Sequence, residues 1–195
     1  MVDSIRRVLI KHPKNAYKNQ VNVDHQSPQL NYFGVPDFEK ALADYDTFAG
    51  LLESFGAEVH HLPEDESTSL DSIYTHDPCV VANEGIILCT MGKDARIPEV
   101  GAVESYFNAI DVPILGHIEL PGTLEGGDVV WIDEKTVAVG EGYRTNTEGI
   151  RQFKILLGAL AEEVISVPLP HWTGPGDCLH LMSNISPIDH DLYLV

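Results

Sequence analysis

The chain has 195 residues, and its 44% hydrophobic and 22% charged content is that of an ordinary globular protein of one domain or two small ones. It carries 12 Lys and Arg against 30 Asp and Glu, for a formal net charge of −18. This excess argues against a nucleic-acid partner, because a phosphate backbone is gripped by clustered cations. It would attract cationic small molecules, although solubility or adaptation to high salt is the simpler explanation.

No apolar run approaches the roughly 20 residues that span a bilayer, and the N-terminus lacks the apolar segment of a secretory signal. The three cysteines lie far apart without a CxxC pair, which argues against a disulfide framework or a zinc site. We therefore predict a cytoplasmic protein that has no membrane contact and needs no metal or cofactor.

In chain order, the first predicted elements are a strand, a helix and a second strand, at 8–10, 37–55 and 58–62. Two segments then repeat the order hairpin, helix and strand, at 79–89, 98–109 and 112–118, and at 129–139, 147–161 and 164–167. The helices are recognised by apolar residues at helical spacing, as in Ile150, Phe153 and Leu157. A last hairpin is predicted with strands at 179–185 and 191–195.

The first strands of these three hairpins begin near residues 79, 129 and 179, a spacing of about fifty residues. Self-similarity at a fixed period indicates a repeat architecture, here of β-β-α-β modules. No linker or low-complexity segment interrupts the series. We therefore predict an α/β protein with a single domain over residues 1–195.

The last hairpin finishes at Val195 without the helix and third strand of a full module. An open module leaves an unpaired strand edge and apolar surface, which closed repeats avoid. Two interpretations stay open: a partner, such as a second copy in a homo-oligomer, covers this edge, or the chain is a fragment. We favour the fragment.

Polar residues collect where the first strand of each hairpin begins. The segment 124–128 (LEGGD) places two carboxylates around a Gly-Gly pair, directly before an apolar run. Asp71 and Asp77 precede the first hairpin, and Asp177 and His180 precede the last. The repeat predicts that these loops meet at one cavity. Carboxylates crowded there favour a bound cation, and a guanidinium pairs with two carboxylates in a forked geometry.

Arg96 follows the first hairpin and Arg144 the second, so they occupy similar places in successive modules. The carboxylate of an amino acid would be their natural ligand, with a helix cap or a surface ion pair as the structural alternative. His180 is the candidate acid–base residue, since an imidazole transfers protons near neutral pH. A purely structural histidine is the alternative there.

Three segments together resemble the amidinotransferase / dimethylarginine dimethylaminohydrolase / arginine deiminase superfamily: 124–128 (LEGGD), 144–151 (RTNTEGIR) and 179–181 (LHL). The resemblance covers essentially the whole chain. It implies a pentein-type α/β propeller of five β-β-α-β modules, incomplete at the C-terminus in this chain. It also implies a small guanidino compound as the substrate.

Site roles follow from the same resemblance. It implies that Glu125 and His180 are catalytic, that Asp77 holds the substrate guanidinium, and that Arg96 and Arg144 bind the α-carboxylate.

Two further positions bear on the substrate. Asp71 and Tyr74 precede Asp77 at the same spacing as residues that contact the substrate in the dimethylarginine hydrolases. Arginine deiminases place an aspartate two residues after the histidine, where this chain has Met182. This departure favours a dimethylarginine hydrolase or a related amidino-group enzyme.

The nucleophile of this superfamily is a cysteine in the fifth module, and the chain ends before that region. None of Cys79, Cys89 and Cys178 fits the position. Cys178 would lie beside His180 on the same face of a predicted strand, which leaves no gap for a substrate between them. We therefore expect the 195-residue chain alone to be inactive.

The resemblance implies hydrolysis of a guanidinium C–N bond to citrulline through a cysteine thiouronium intermediate. Amidino transfer, in which an amine replaces water, proceeds through the same intermediate and is the first alternative. The second alternative is a propeller that binds an arginine-like ligand or a protein partner without chemistry, since a ribosome anti-association factor uses the same fold.

Overall fold

The computed structural model describes residue 2, residues 4–171, residue 174 and residues 179–195. The N-terminal part contains β1 (Arg7–Ile10), α1 (Pro13–Ala16), α2 (Gln20–Gln26), α3 (Phe38–Ser54) and β2 (Glu58–His61). Strands β1 and β2 are parallel neighbours. These elements are the α-β half of a module, as the sequence predicted.

The first complete module consists of β3 (Cys79–Ala82), β4 (Gly85–Leu88), α4 (Ile97–Ala109) and β5 (Ile114–His117). Strand β4 lies between the other two, antiparallel to β3 and parallel to β5. The turn between β3 and β4 needs glycine, because a Cβ on Gly85 would lie 2.3 Å from the carbonyl oxygen of Pro113.

The second complete module repeats this arrangement with β6 (Val129–Trp131), β7 (Thr136–Glu141), α5 (Thr147–Leu157) and β8 (Glu163–Pro168). Strand β7 is antiparallel to β6 and parallel to β8. Helix α5 begins after Asn146, whose side chain accepts a hydrogen bond from the Gly149 N–H. The predicted β-β-α-β repeat is confirmed in both modules.

The last hairpin is formed by β9 (Ser186–Asp189) and β10 (Leu192–Leu194), so the prediction of a strand over 179–185 is wrong. Leu181–Ser183 form a 3₁₀ turn instead. The Leu181 N–H donates to the Asp128 carboxylate at 3.0 Å, and its side chain packs with Val130 and Ala138. These contacts tie the segment to the second complete module, and the hairpin starts at Ser186 rather than near 179.

Consecutive modules pack against each other through buried apolar clusters. One cluster joins the two complete modules and includes Ile87, Leu124, Val139 and Phe153. Another joins the first complete module to Leu62, at the end of the N-terminal half-module. Within the described part of the chain, no helix is long and apolar enough to cross a membrane.

Candidate guanidinium site

Three loops from different modules meet at one point and bring together Asp77, Glu125 and His180. Their nearest side-chain ligand atoms all lie within 4.8 Å of one another. The His180 Nε2 is 2.9 Å from a Glu125 oxygen, and the Nδ1 is 3.6 Å from an Asp77 oxygen. The imidazole therefore lies between two carboxylates, in a place where the repeat predicted only that the three loops meet.

Local backbone structure places the two catalytic candidates in equivalent positions. Glu125 immediately precedes the 3₁₀ turn Gly126–Asp128, and His180 immediately precedes the 3₁₀ turn Leu181–Ser183. His180 is therefore in a turn entrance rather than in the predicted strand. Cys178 and Asp177, which the sequence placed on the same loop, lie outside the described residues.

The Gly-Gly pair allows the three loops to approach. The Gly126 N–H donates to the Asp77 carbonyl at 2.8 Å, and the Gly127 N–H donates to the Asp77 carboxylate at 3.1 Å. A Cβ on Gly127 would lie 2.1 Å from the His180 Nδ1. A side chain there would push the His180 ring or the Asp77 carboxylate aside, so close packing rather than an unusual backbone angle favours glycine.

Asp128 connects the loops that carry Glu125 and His180. Its carboxylate accepts hydrogen bonds from the Thr145 hydroxyl at 2.6 Å and from the Leu181 N–H at 3.0 Å. The Thr145 hydroxyl also accepts a hydrogen bond from the Glu125 N–H at 3.1 Å. Asp128 thus links the loops that carry the two catalytic candidates, and burial raises its pKa.

Glu125 is fully buried and has several donors. Its carboxylate accepts from the Gly92 N–H at 2.9 Å and from the Arg144 Nη1 at 3.1 and 3.3 Å, besides its contact with His180. Burial pushes the pKa of Glu125 upward, but the hydrogen bond to His180 and the charge of Arg144 outweigh it, and the pKa is lowered. Glu125 is a carboxylate at neutral pH.

The pKa of His180 shifts in the opposite direction to that of Glu125. Burial alone would lower its pKa, but the hydrogen bond to Glu125 and the negative charges of Asp77 and Asp128 outweigh burial and raise it. The imidazole therefore holds its proton to a higher pH than a free histidine. This state is suited to giving a proton to a leaving amine.

Arg96 is buried and committed to protein partners. Its Nη1 donates to the Asp77 carboxylate at 2.5 Å, and its Nε and Nη2 donate to Glu99, with Nη2 also donating to the Tyr74 carbonyl at 3.1 Å. Burial alone would lower the pKa of Arg96, but the hydrogen bonds and negative charges of Glu99 and Asp77 outweigh burial and raise it. The structure places Arg96 as a support of Asp77, and its contact with a substrate carboxylate stays a prediction.

Arg144 is less enclosed than Arg96. Its side chain is 24% exposed, and it contacts the fully buried Glu125. The backbones of residues 92 and 144 are tightly packed, since a Cβ on Gly92 would lie 2.8 Å from the Arg144 carbonyl oxygen. Arg144 thus combines contact with the Glu125 carboxylate and access to solvent.

Arg96 connects Asp71 and Tyr74 to this cluster. Its Nη2 donates to the backbone carbonyl oxygen of each residue. Tyr74 is 55% exposed, and its ring centroid is 5.8 Å from the Arg96 Cζ. Asp71 is buried, and its carboxylate binds the Lys93 Nζ at 2.5 Å. Sequence reasoning missed Lys93, although it is one of few cations in the chain and lies three residues before Arg96.

The described cysteines do not take part in this site. Cys79 and Cys89 are buried in the apolar clusters, and burial raises the pKa of the Cys79 thiol to about 12 and that of Cys89 well above its usual value. Neither residue provides a thiolate at neutral pH.

Two carboxylates and an imidazole are a donor set that suits a divalent cation. Here Arg96 and Arg144 already neutralise Asp77 and Glu125. Because a carboxylate can accept several hydrogen bonds, a planar guanidinium can still pair with these two carboxylates beside the arginines.

Comparison with known proteins places this site in a family. The family model described as arginine deiminase matches residues 68–195, a range that contains all seven predicted site residues. The chain therefore belongs to the arginine deiminase family, within the superfamily of guanidino-group-modifying enzymes that its motifs indicated.

Curated relatives carry two enzyme names. The chain is 27% identical over 163 residues to a dimethylarginine dimethylaminohydrolase of Pseudomonas aeruginosa, covering 83% of this chain and 60% of the relative. It is 29% identical over 153 residues to the enzyme of that name from Streptomyces coelicolor, covering 78% and 55%. An arginine deiminase of Listeria welshimeri is 32% identical over 106 residues, covering 50% and 26%. The chain thus spans little more than half the length of the two dimethylarginine hydrolases.

Solved structures confirm the fold. The dimethylarginine dimethylaminohydrolase of Pseudomonas aeruginosa, as a Cys-to-Ser mutant complexed with citrulline, has a TM-score of 0.79 and 26% identity, covering 98% of this chain and 69% of the other. An amidinotransferase of Microseira wollei has a TM-score of 0.70 at 14% identity, covering 95% and 64%, and shows the fold alone. The predicted pentein-type α/β propeller is confirmed.

Proposed function

We propose that this chain provides most of the active site of a hydrolase that cleaves the guanidinium C–N bond of arginine or an N-methylated arginine to give citrulline. The observation that carries the proposal is the His180 imidazole held between the Asp77 and Glu125 carboxylates. The names of the relatives support the same reaction class.

In the proposed reaction, a thiolate attacks the guanidinium carbon, and the bond from that carbon to the leaving amine breaks. Asp77 and Glu125 bind the planar cation, and His180 gives its proton to the leaving amine. The neutral imidazole then takes a proton from water, which attacks the thiouronium carbon and releases the thiolate and citrulline. The raised pKa of His180 supports its first role, and its contact with Glu125 supports both.

The attacking thiolate is proposed to be a cysteine outside these 195 residues, as the family resemblance implies, and the chain alone is proposed to be inactive. Burial and a raised pKa argue against Cys79 and Cys89. Asp71, Tyr74, Arg96 and Arg144 are proposed substrate contacts on the same basis, although every nitrogen of Arg96 already has a protein acceptor.

An N-methylated arginine is the preferred substrate in this proposal. At the position where the resemblance puts an aspartate in arginine deiminases, Met182 instead packs against the apolar cluster of Val130, Ala138 and Leu181. The residue two positions after His180 therefore adds no carboxylate to the site. Amidino transfer remains the alternative, because it shares the covalent intermediate.

The test measures citrulline released from asymmetric dimethylarginine and from arginine by the longest natural form of the protein that contains this sequence. Glu125→Gln and His180→Ala are each expected to lower turnover by about 10²–10⁴-fold. Glu148→Gln is the matched control, since Glu148 pairs with Arg151 on the exposed side of α5. Retained turnover in the two site variants contradicts the assignment. An amidinated amine in place of citrulline identifies a transferase, and binding without turnover identifies a binding protein.

A further inference from the structure

We infer that Thr145 and Asp128 are positioning residues, which fix the loops of the site so that its two catalytic candidates meet. These candidates are the Glu125 carboxylate and the His180 imidazole, whose nearest atoms are 2.9 Å apart. The inference rests on the proposed function and extends it, because neither positioning residue is assigned a contact with the substrate.

Three hydrogen bonds in series connect the two loops. The Glu125 N–H donates to the Thr145 hydroxyl oxygen at 3.1 Å. The Thr145 hydroxyl donates in turn to one Asp128 oxygen at 2.6 Å, and the Leu181 N–H donates to the other at 3.0 Å. Because Leu181 directly follows His180, the series begins at the backbone of one catalytic candidate and ends one residue after the other.

The hydrogen bonds of this series are satisfied in one direction only. An ionised carboxylate only accepts, so the single Thr145 hydroxyl proton points to Asp128 and leaves the oxygen free to accept from the Glu125 N–H. A protonated Asp128 would instead donate to Thr145 and leave the hydroxyl proton without an acceptor. All three residues are buried, so removal of the hydroxyl leaves a backbone N–H and a carboxylate each short of a partner.

Thr145 holds Glu125 together with its neighbour in the chain. The Arg144 Nη1 lies 3.1 Å from a Glu125 carboxylate oxygen, so consecutive residues contact the side chain and the backbone of Glu125. Their loop is closed by a hydrogen bond from the Gly142 N–H to the Thr145 carbonyl at 2.8 Å. A long, partly exposed arginine side chain can follow a carboxylate that moves. The Thr145 hydroxyl instead fixes the backbone from which that carboxylate projects.

Asp128 adds a charge to the site as well as a contact. Burial raises its pKa, which means that the charged form is costly here, whereas a neutral asparagine would avoid that cost. Burial also lowers the pKa of His180, but the hydrogen bond to Glu125 and nearby negative charges outweigh it. The carboxylates that face His180 are those of Glu125, Asp77 and Asp128. Asp128 therefore helps His180 to keep the proton that the proposed reaction gives to the leaving amine.

The first measurement is the pKa of His180 by NMR in the 195-residue chain, with the signal assigned by its loss in His180→Gln. Thr145→Val keeps the shape of the side chain and removes the hydroxyl, and Thr145→Ser restores the hydroxyl. Thr147→Val is the matched control, because the Thr147 hydroxyl also donates to a carboxylate, that of Glu141, at the exposed start of α5. The pKa of His180 is expected to fall in Thr145→Val and to stay unchanged in Thr145→Ser and Thr147→Val.

The second measurement is citrulline release by the longest natural form of the protein that contains this sequence. Thr145→Val is expected to lower kcat about 10- to 100-fold, because a misplacement of reacting groups by about 1 Å has an effect of that size. Thr145→Ser and Thr147→Val are expected to stay within about threefold of the unsubstituted protein. Asp128→Asn keeps an acceptor for the Leu181 N–H but removes the charge, so it is also expected to lower the pKa of His180.

The results separate the positioning role from the proposed function. A lower melting temperature of Thr145→Val with an unchanged pKa of His180 shows a structural role only and overturns the inference. Equal behaviour of Thr145→Val and Thr145→Ser also overturns it. If the unsubstituted long form releases no citrulline, the proposed function fails, and the pKa comparison in the 195-residue chain still decides the positioning role. If Thr145→Val does not fold, Asp128→Asn takes its place against Thr147→Val, and an unchanged pKa there overturns the inference.

Discussion

Arg96 and Arg144 occupy matching places after the hairpins of the two complete modules, yet their surroundings differ. Arg96 is enclosed by Asp77, Glu99 and two carbonyl groups, with 5% of its side chain exposed. Arg144 contacts Glu125 and retains 24% exposure. The residue three positions later accounts for much of the difference: Glu99 is a buried carboxylate in the first turn of α4, whereas Thr147 opens α5.

This difference separates two tasks that the repeat alone assigns to both residues. A guanidinium with every nitrogen occupied fixes the geometry of its partners, here Asp77. A guanidinium at the surface of the site can exchange partners when a ligand arrives. An equivalent position in a repeat therefore fixes where the chain goes, while burial and neighbouring charges determine what a side chain does there.

The largest expected effect comes from removing each arginine in turn. Arg96→Met leaves Asp77 and Glu99 buried without a cation and is expected to lower the free energy of unfolding by about 3–5 kcal/mol. Arg144→Met is expected to cost about 1 kcal/mol, because Glu125 keeps donors from His180 and Gly92. Urea denaturation measures both. Equal destabilisation by the two substitutions would remove the distinction between them.

A smaller effect is expected at the glycine that lets Glu125 and His180 meet. Gly127→Ala places a methyl group 2.1 Å from the present position of the His180 Nδ1 and is expected to cost about 1–3 kcal/mol through the forced shift. Gly101→Ala in α4 is the control, since nothing lies within 4 Å of its added Cβ. That control is expected to stabilise the helix by about 0.5–1 kcal/mol. Two similar thermal shifts would mean that the loops do not meet as described.

The smallest effect is on the dependence of stability on pH. Because the pKa of His180 is raised in the folded state, its protonation stabilises the protein fully below about pH 6.5, and this contribution is lost as the pH rises through the raised pKa. Because the pKa of Glu125 is lowered, its contribution is present above about pH 4.5 and is lost as the pH falls through the lowered pKa. The difference in unfolding free energy between the unsubstituted chain and His180→Gln is expected to shrink from pH 6 to pH 9. A constant difference would contradict the raised pKa.

Much of this fold follows from local pattern. Hydrophobic periodicity and turn residues predict both complete modules and the long helix α3, because each element carries its own signal. The short helices α1 and α2 were not predicted, since they rest on single caps, His12 and Asn19, rather than on an apolar stripe. The last hairpin was misplaced because Leu181 is held by a hydrogen bond to Asp128, more than fifty residues earlier in the chain.

The site shows the same limit. Repetition predicts that the loops of Asp77, Glu125 and His180 meet, because equivalent positions stack in a repeat. It does not reveal that Glu99 pairs with the buried Arg96 or that Lys93 pairs with Asp71, because both contacts depend on how the loops fold and what they bury. Burial, which separates Arg96 from Arg144, is a property of the packed chain and has no counterpart in the residue spacing.

The most direct test of the central claim is the pKa of His180, followed by NMR with and without L-arginine and assigned by loss of the signal in His180→Gln. If Asp77 and Glu125 hold the ligand guanidinium beside the imidazole, the added positive charge disfavours imidazolium, and the pKa of His180 is expected to fall on binding. An unchanged pKa at saturating L-arginine would show that the guanidinium binds elsewhere and would contradict the account.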